Sequence, residues 1–593
     1  MGRLRRVVLW VLLLSLETAM AAEPVDLSGL WKAQRHSGGL EKARILVVRS
    51  DEGYRADMLG SSLPVVVENG RLTFSLGERG SFRGRLEKDG AIGGHWFFHQ
   101  AASPVTLNPD GPNRWSGAVT TAPDELTFFL QLKADGGDAW TAVLRNPERD
   151  FGSLWKVGKL VRKDGRLELM GQQSIGEGAY DPEREQITLD LAGRGSFDFS
   201  REGDDSAFYP RGRSAPKYAY RPPLGLDDGW PASTLASEGI DTAGIEKAIQ
   251  WILEMPMDSA DAAQYDAVLV ARHGKLVLEE YFHGEHRDRL HNIRSAGKSV
   301  TSVLVGAVLK DGAQLRLSSP VYQVMNGGAF PKDLDPGKRG MTLEHLLTMS
   351  SGLFCDDTND QAPGNEDKIW DAQERNPDFY DVTLRVPQAT PPGDKSVYCS
   401  MQPNLALGMV GRATKDFPLV AFDRLVAKPM RLGTYAWGLD GAGNAYGGGG
   451  LMLLPRDFLK FGELMLRDGA WNGRPIVSAD FARRSVSSLY HLRRITYGYL
   501  WWVEDLPYKD RTVRAFLALG NGGNNIVGIP ELDVVVALFG ANYGSRTTGR
   551  IREIVPRLIL PAVREPGDDK TVPVVEHEYT NPYGRSEDGS RVK

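Results

Sequence analysis

The spacing of apolar residues changes character once along this chain of 593 residues, near residue 214, and that change constrains the fold more than any single motif. Over 26–213 the apolar residues come in short alternating runs, such as 44–49, 63–68 and 126–131, broken by glycine and charged turns. Alternation puts successive side chains on opposite faces of a strand, and strands spaced at roughly ten residues close an antiparallel barrel or sandwich. Pro222, Pro223 and Gly225 then mark a linker over 214–231. Beyond it, helical and strand periods intermix as far as about residue 564. A chain of this length is expected to hold at least two domains.

One stretch of the alternating region repeats. Leu72-Thr-Phe-Ser-Leu-Gly-Glu-Arg-Gly-Ser-Phe82 aligns with Ile187-Thr-Leu-Asp-Leu-Ala-Gly-Arg-Gly-Ser-Phe197, which points to duplicated β units. The 67 glycines suit a chain with many tight turns. The region is similar to lipocalin-like barrels, so an all-β N-terminal domain, barrel or sandwich, is expected over 26–213. It offers no catalytic constellation, and His36, His95 and His99 are read as surface or packed histidines.

The first residues read as an address rather than as fold. Arg3, Arg5 and Arg6 precede an apolar run from Val7 to Leu16, and Ala19-Met20-Ala21 supplies small residues at a cleavage spacing. The run is shorter than the about 20 apolar residues that span a bilayer, and an uncleaved anchor is the alternative. A signal peptide over 1–21 implies a periplasmic or secreted protein with no stable membrane insertion after cleavage. Residues 565–593 are polar, carry Gly and Pro, and are expected to form a flexible tail. A net charge of −5 leaves no basic footprint, so no nucleic acid partner is expected. With only two cysteines, a disulfide-built scaffold and a cysteine-cluster metal site are both excluded.

In the second half, Ile245, Ala248, Ile249 and Ile252 recur at helical spacing after Asp241, and a hairpin turns at His273-Gly274. Chemistry enters with Ser-x-x-Lys. On a helix, residues three apart share a face, so the lysine amine reaches the serine hydroxyl. The spacing occurs four times. Ser153…Lys156 falls in the β-rich part, Ser214…Lys217 contains Pro216, and Ser590…Lys593 ends the chain. Only Ser295-Ala-Gly-Lys298 opens a helix, carried by an apolar stripe of Val300, Val303, Leu304, Ala307 and Val308 and ended by Asp311-Gly312. A serine at that end has free backbone N–H groups beside it for an oxyanion. Taken alone, Ser295 also reads as a helix cap.

With its neighbours this motif resembles the serine β-lactamase and penicillin-binding-protein family, particularly the class C branch. That branch includes D-alanyl-D-alanine peptidases, esterases and nylon-oligomer hydrolases. Thr342-Leu-Glu-His-Leu-Leu-Thr-Met-Ser-Ser-Gly-Leu353 is similar to the family's segment after the nucleophile helix. Gly447-Gly-Gly-Gly-Leu451 with Arg456-Asp457 and Phe461-Gly462 is similar to a later one, and Tyr497-Gly-Tyr-Leu-Trp-Trp502 resembles a late core strand. The resemblance covers 232–564. It implies a β-lactamase/transpeptidase-like α/β (α+β) domain, an antiparallel sheet flanked by helices, that needs no metal and no organic cofactor. It gives Ser295 the role of nucleophile and makes Lys298 and Tyr398, of Tyr398-Cys399-Ser400, its proton-transfer partners. A packed core tyrosine is the alternative for Tyr398. Which of Lys298 and Tyr398 is the base stays open.

The chain departs from the pattern twice. Ser400 stands where the family carries asparagine, and Asn521-Gly522-Gly523 stands where a cation followed by Thr-Gly is usual. The glycines would let substrate lie close, with Asn524 N–H as second oxyanion donor, or they form a plain turn. Without a cation, a substrate carboxylate loses its natural partner. Cys355 and Cys399 should flank the site and are expected to bridge, two free thiols being the alternative. Asp356, Asp357, Asn359 and Asp360 suggest calcium less than a solvated loop or a rim contacting substrate.

The expected function is therefore a serine hydrolase acting on a small-molecule ester or amide through an acyl-enzyme. Two alternatives are kept: a β-lactamase or D-alanyl-D-alanine carboxypeptidase, and a non-catalytic ligand-binding or sensor protein. The sequence fixes neither the substrate nor the oligomeric state.

Overall fold

The computed structural model describes residues 25–36, 43–120, 125–148, 151–260, 262–543, 549–565 and 590–592. The expected signal peptide and most of the expected tail lie outside these residues.

Among the described residues the N-terminal half forms two closed antiparallel barrels, one inserted into the other. Gly29–His36 pairs with Glu125–Ala134 on one side and with Gly195–Arg201 on the other. Ala139–Arg145, Lys159–Lys163, Arg166–Met170, Ser174–Asp181 and Gln186–Leu191 complete this first barrel. The strands between its first and second members close on themselves: Ala43–Ser50 pairs with Arg114–Val119, which also pairs with the end of Ala101–Pro109. Each interior is filled by inward-facing side chains, as small barrels require. Trp31, Phe128, Leu130, Trp140, Leu189 and Phe199 fill the first, and Ile45, Phe74, Phe82, Trp96 and Leu107 the second.

The repeated stretch marks one hairpin in each barrel. Phe74 faces Phe82 across its hairpin as Leu189 faces Phe197 across the other, so the aligned residues share one register. Ser153 lies on a short helix, Phe151–Trp155, rather than on a strand. Phe151 and Trp155 stack on each other and on Phe128, and that aromatic cluster favours the helical turn.

The C-terminal half is built on one antiparallel sheet in the order Lys275–Tyr281, Ala267–Arg272, Val534–Phe539, Asn524–Ile529, Arg511–Gly520, Trp502–Tyr508, Ile495–Tyr497, Tyr490–Leu492. Pro455–Leu466 crosses the central strands, with Gly462 close against Val535 and Ile526. In place of a regular last helix, tight and wide helical turns run through Arg550–Glu553, Val555–Ile559 and Leu560–Ala562. The 497–502 run is a corner rather than one strand, because Leu500 takes a left-handed turn at φ 61° between the two strands. Residues 590–592 of the expected tail run beside the last strand, where His491 N–H donates to Ser590 O at 2.8 Å. The expected linker is strapped to this half by buried Tyr218 and Trp230, whose indole N–H donates to Arg456 O at 3.0 Å.

The second barrel continues into this half as sheet. At the start of Ala101–Pro109, Ala101 and Ala102 pair with Gly438 and Trp437. Tyr435–Gly438 then pairs with Leu451–Leu453, and that strand pairs with His291–Asn292, three residues before Ser295. His95 is packed at this junction. Its Nε2 lies 3.1 Å from Tyr435 Oη and 3.0 Å from Asp423 Oδ2, and Tyr435 donates to Asp423 Oδ1 at 2.7 Å. Asp423→Ala would leave buried Tyr435 and His95 only each other as partners, an expected loss of about 1–3 kcal/mol. Urea unfolding measures it, and Asp423→Asn, which keeps an acceptor, should lose less.

Candidate active site

Ser295 sits in the tight turn Arg294–Ala296 that leads into the helix Gly297–Lys310. The turn is sharp because Arg294 adopts φ 52°, a conformation that L side chains rarely take. Its N–H is held by Asn292 Oδ1 at 2.9 Å, and its guanidinium stacks over Tyr543 at 4.2 Å. The helix is not amphipathic as the apolar stripe suggested. It is buried on every side from Gly297 to Val308, polar Lys298, Ser299, Thr301 and Ser302 included. A helix enclosed in a core needs internal partners for such groups. Ser299 Oγ donates to Leu500 O at 2.7 Å, and Thr301 Oγ1 donates to Gly447 O at 3.0 Å.

Lys298 Nζ donates to Ser295 Oγ at 2.9 Å and to Gly448 O at 2.5 Å, and lies 5.1 Å from the centre of the Tyr398 ring. Burial disfavours its charge, but Tyr398, Glu366 and Asp357 outweigh burial and raise its pKa above the ordinary amine value. Tyr398 stacks on Trp502 with ring centres 5.5 Å apart, and the Arg493 guanidinium lies 4.6 Å from its ring. Ser295, Lys298 and Tyr398 are thus together.

The run Gly447–Gly450 is glycine for a steric reason. It threads between the helices Gly297–Lys310 and Met401–Thr414, and a Cβ on Gly448 would lie 2.6 Å from both Ser400 O and Tyr446 Oη. Gly448→Ala should therefore cost about 1–3 kcal/mol through overpacking and displacement of the Lys298 acceptor. Thermal unfolding measures the loss.

Cys355 and Cys399 are disulfide-bonded, with Cα atoms 5.6 Å apart and a sequence separation of 44. Closing a loop of that size stabilises by ~3–4 kcal/mol in the chain-entropy view. The bridge fixes the acidic loop against the residues after Tyr398. There Ser400, fully buried, takes a different role from a substrate-amide ligand. Its Oγ lies 2.7 Å from Asp357 Oδ2 and 2.8 Å from Glu366 Oε2, and its N–H donates to Asp357 Oδ2 at 2.8 Å. The rest of the loop binds its own backbone: Asp356 Oδ1 accepts from Thr358, and Asn359 Oδ1 accepts from Gln361.

At the end of the strand Arg511–Gly520, a Cβ on Gly520 would lie 2.1 Å from Ile293 O, two residues before Ser295. Gly522 and Gly523, at φ 92° and 101°, form the turn beyond it and pack against Tyr543 and Ile551. Asn524 is fully buried, and its Nδ2 donates to Asn521 O and Gly540 O at 2.9 and 3.1 Å. Asn521 is exposed at the turn. The expected substrate-binding residues 521–524 thus form the turn that follows the strand end at Gly520. Glu366, Tyr446 and Arg493 are site residues that the sequence did not single out. Each arrives from a distant segment, and none belongs to a spaced motif.

Residues 259–552 match the family model described as Beta-lactamase. Among solved structures, a Bacillus anthracis protein assigned as a 6-aminohexanoate-dimer hydrolase is 19% identical, covering 50% of this chain and 78% of its own, with a TM-score of 0.42. A penicillin-binding-protein homologue from Caulobacter crescentus is 16% identical, covering 50% and 91%, with a TM-score of 0.39. A beta-lactamase from Mycobacterium bovis is 16% identical, covering 52% and 97%, with a TM-score of 0.37.

Proposed function

Since residues 259–552 belong to the beta-lactamase family, whose members are typically serine hydrolases, we propose that this protein cleaves an ester or small amide through an acyl-enzyme on Ser295. The observation that carries the reading is the 2.9 Å contact between Lys298 Nζ and Ser295 Oγ at the start of a buried helix. An ammonium has three protons to donate. Ser295 Oγ and Gly448 O take two of them, and Tyr398 stands beside the same amine. A lysine that donates to the nucleophile is not the group that deprotonates it. Tyr398, beside that amine, is therefore the base that takes the Ser295 proton and returns it to the leaving group. The carbonyl oxygen would be held by the Ser295 backbone N–H and the strand end at Gly520. Water then releases the acid.

A neutral ester or small amide suits the site better than a penicillin, because no cation stands at Asn521. Export, the setting read from residues 1–21, suits the Cys355–Cys399 bridge, which persists in an oxidising compartment. Among the described residues no helix is long and apolar enough to cross a membrane. The test is hydrolysis of p-nitrophenyl esters of graded acyl length by the wild type and by Ser295→Ala. Absence of Ser295-dependent turnover at every length would sink the reading, and efficient nitrocefin turnover would replace it with a β-lactamase.

A further inference from the structure

On the serine hydrolase reading above, we infer that Asp357 and Glu366, joined through the Ser400 hydroxyl, are positioning residues: a one-proton carboxyl pair that holds Lys298 as an ammonium beside Ser295. The hydrogen-bond geometry supports the shared proton. Asp357 Oδ1 accepts from Glu366 N–H at 3.2 Å, and Asp357 Oδ2 accepts from Ser400 N–H at 2.8 Å. Glu366 Oε1 accepts from the Tyr446 hydroxyl. That leaves Ser400 Oγ, with a single proton, between Asp357 Oδ2 at 2.7 Å and Glu366 Oε2 at 2.8 Å. A hydroxyl donates once, and two ionised carboxylates have nothing to donate back. The arrangement closes only when one carboxyl carries a proton, donates it to Ser400 Oγ, and Ser400 donates to the other. The pair then bears one negative charge. Burial, and after it the Glu366 carboxylate, push Asp357 up to about 7, which is consistent with a proton held by the pair as a unit.

The pair is built against the catalytic groups. Asp357 N–H donates to Tyr398 O at 3.0 Å, and the disulfide ties Cys355, two residues before Asp357, to Cys399, next to Ser400. Gly448, whose carbonyl accepts from Lys298, lies against Ser400 O and Tyr446 Oη. The titratable groups facing the pair are Lys298 from the nucleophile helix, Tyr398 from the segment before Ser400, and Tyr446 from the glycine-rich run. Asp367, on the pair's own helix Glu366–Asp371, is exposed. The single charge balances Lys298. When the shared proton leaves, the charge doubles, and the pair no longer balances the single Lys298 charge. Turnover should therefore fall on the alkaline side of neutrality.

Two measurements test this. In pH profiles of kcat/KM for a neutral p-nitrophenyl ester, the wild type should step down to a lower plateau on the alkaline side. Glu366→Gln, whose amide still donates to Ser400 and accepts from Tyr446, should lose that step. A purely structural role would leave the step in place, and an unchanged step overturns the inference. The second measurement does not need turnover: the Lys298 side-chain carbon signal, assigned by its absence in Lys298→Met, is followed by NMR against pH. Its titration midpoint should fall when Asp357→Asn and Glu366→Gln are combined, and a midpoint that stays put overturns the inference. If wild type and Ser295→Ala hydrolyse the ester equally, the hydrolase reading fails, while the lysine titration still judges the pair.

Discussion

Replacing Ser295 with alanine should lower kcat/KM for p-nitrophenyl acetate by roughly four orders of magnitude or more, the scale on which a nucleophile is lost from a serine hydrolase. The loss should come with little change in stability. Ser295 is half-buried, and its hydroxyl accepts one hydrogen bond, from a lysine that keeps Gly448 O as a second acceptor. Truncation therefore removes the attacking atom without stranding the buried ammonium. Steady-state kinetics and a urea unfolding curve on the same preparation separate the two effects. A variant with undiminished turnover would move the chemistry elsewhere. One that loses turnover and unfolds earlier would leave the chemical role of Ser295 unproven.

Tyr398→Phe carries the second largest expected effect, a fall in kcat of about 10²–10⁴-fold. The ring should stay in place, because stacking on Trp502 and contact with Arg493 do not involve the hydroxyl. Only the proton acceptor is lost, so KM should change little while kcat collapses. If instead Lys298 were the base, Tyr398→Phe would retain most of its rate. The contrast with Lys298→Met, which leaves the carboxyl pair without its counter-charge, is also informative. That variant should lose activity and stability together, since removing one partner leaves an uncompensated charge close by.

The parts of this site that were legible in the sequence are those set by local geometry. Ser295 and Lys298 are three apart on one helix, and the contact between them follows from helical pitch. The turn at His273-Gly274 could be read from adjacent residues, and so could the helix start at Asp241. Tyr398 was found by its order along the chain, and Cys355 and Cys399 by their position around it. Those features need no knowledge of distant partners.

What stayed hidden depends on long-range pairing. Two barrels and one barrel have the same alternation, so periodicity could not show that Gly29–His36 bridges Glu125–Ala134 and Gly195–Arg201 around an inserted unit. The repeat at residues 72–82 and 187–197 was the trace of it. The continuous path of strands from Ala101 to Asn292 was equally invisible, because Tyr435–Gly438 finds its partner more than three hundred residues away. Asp357 looked like a member of a solvated acidic loop, and Glu366 was not singled out at all. The bridge between Cys355 and Cys399 turns that loop inward and sets both carboxylates on Ser400. Among the glycines of residues 520–523, composition could not say which one packs against the segment leading into Ser295. Close approach to Ile293 O picks out Gly520.

The central claim is that Ser295 is the nucleophile, and the most direct measurement is peptide mapping by mass spectrometry after treatment with a fluorophosphonate. The expected result is a single adduct on the peptide that carries Ser295, with labelling strongly slowed in Tyr398→Phe. An adduct on another side chain, or folded protein that stays unlabelled, would contradict it.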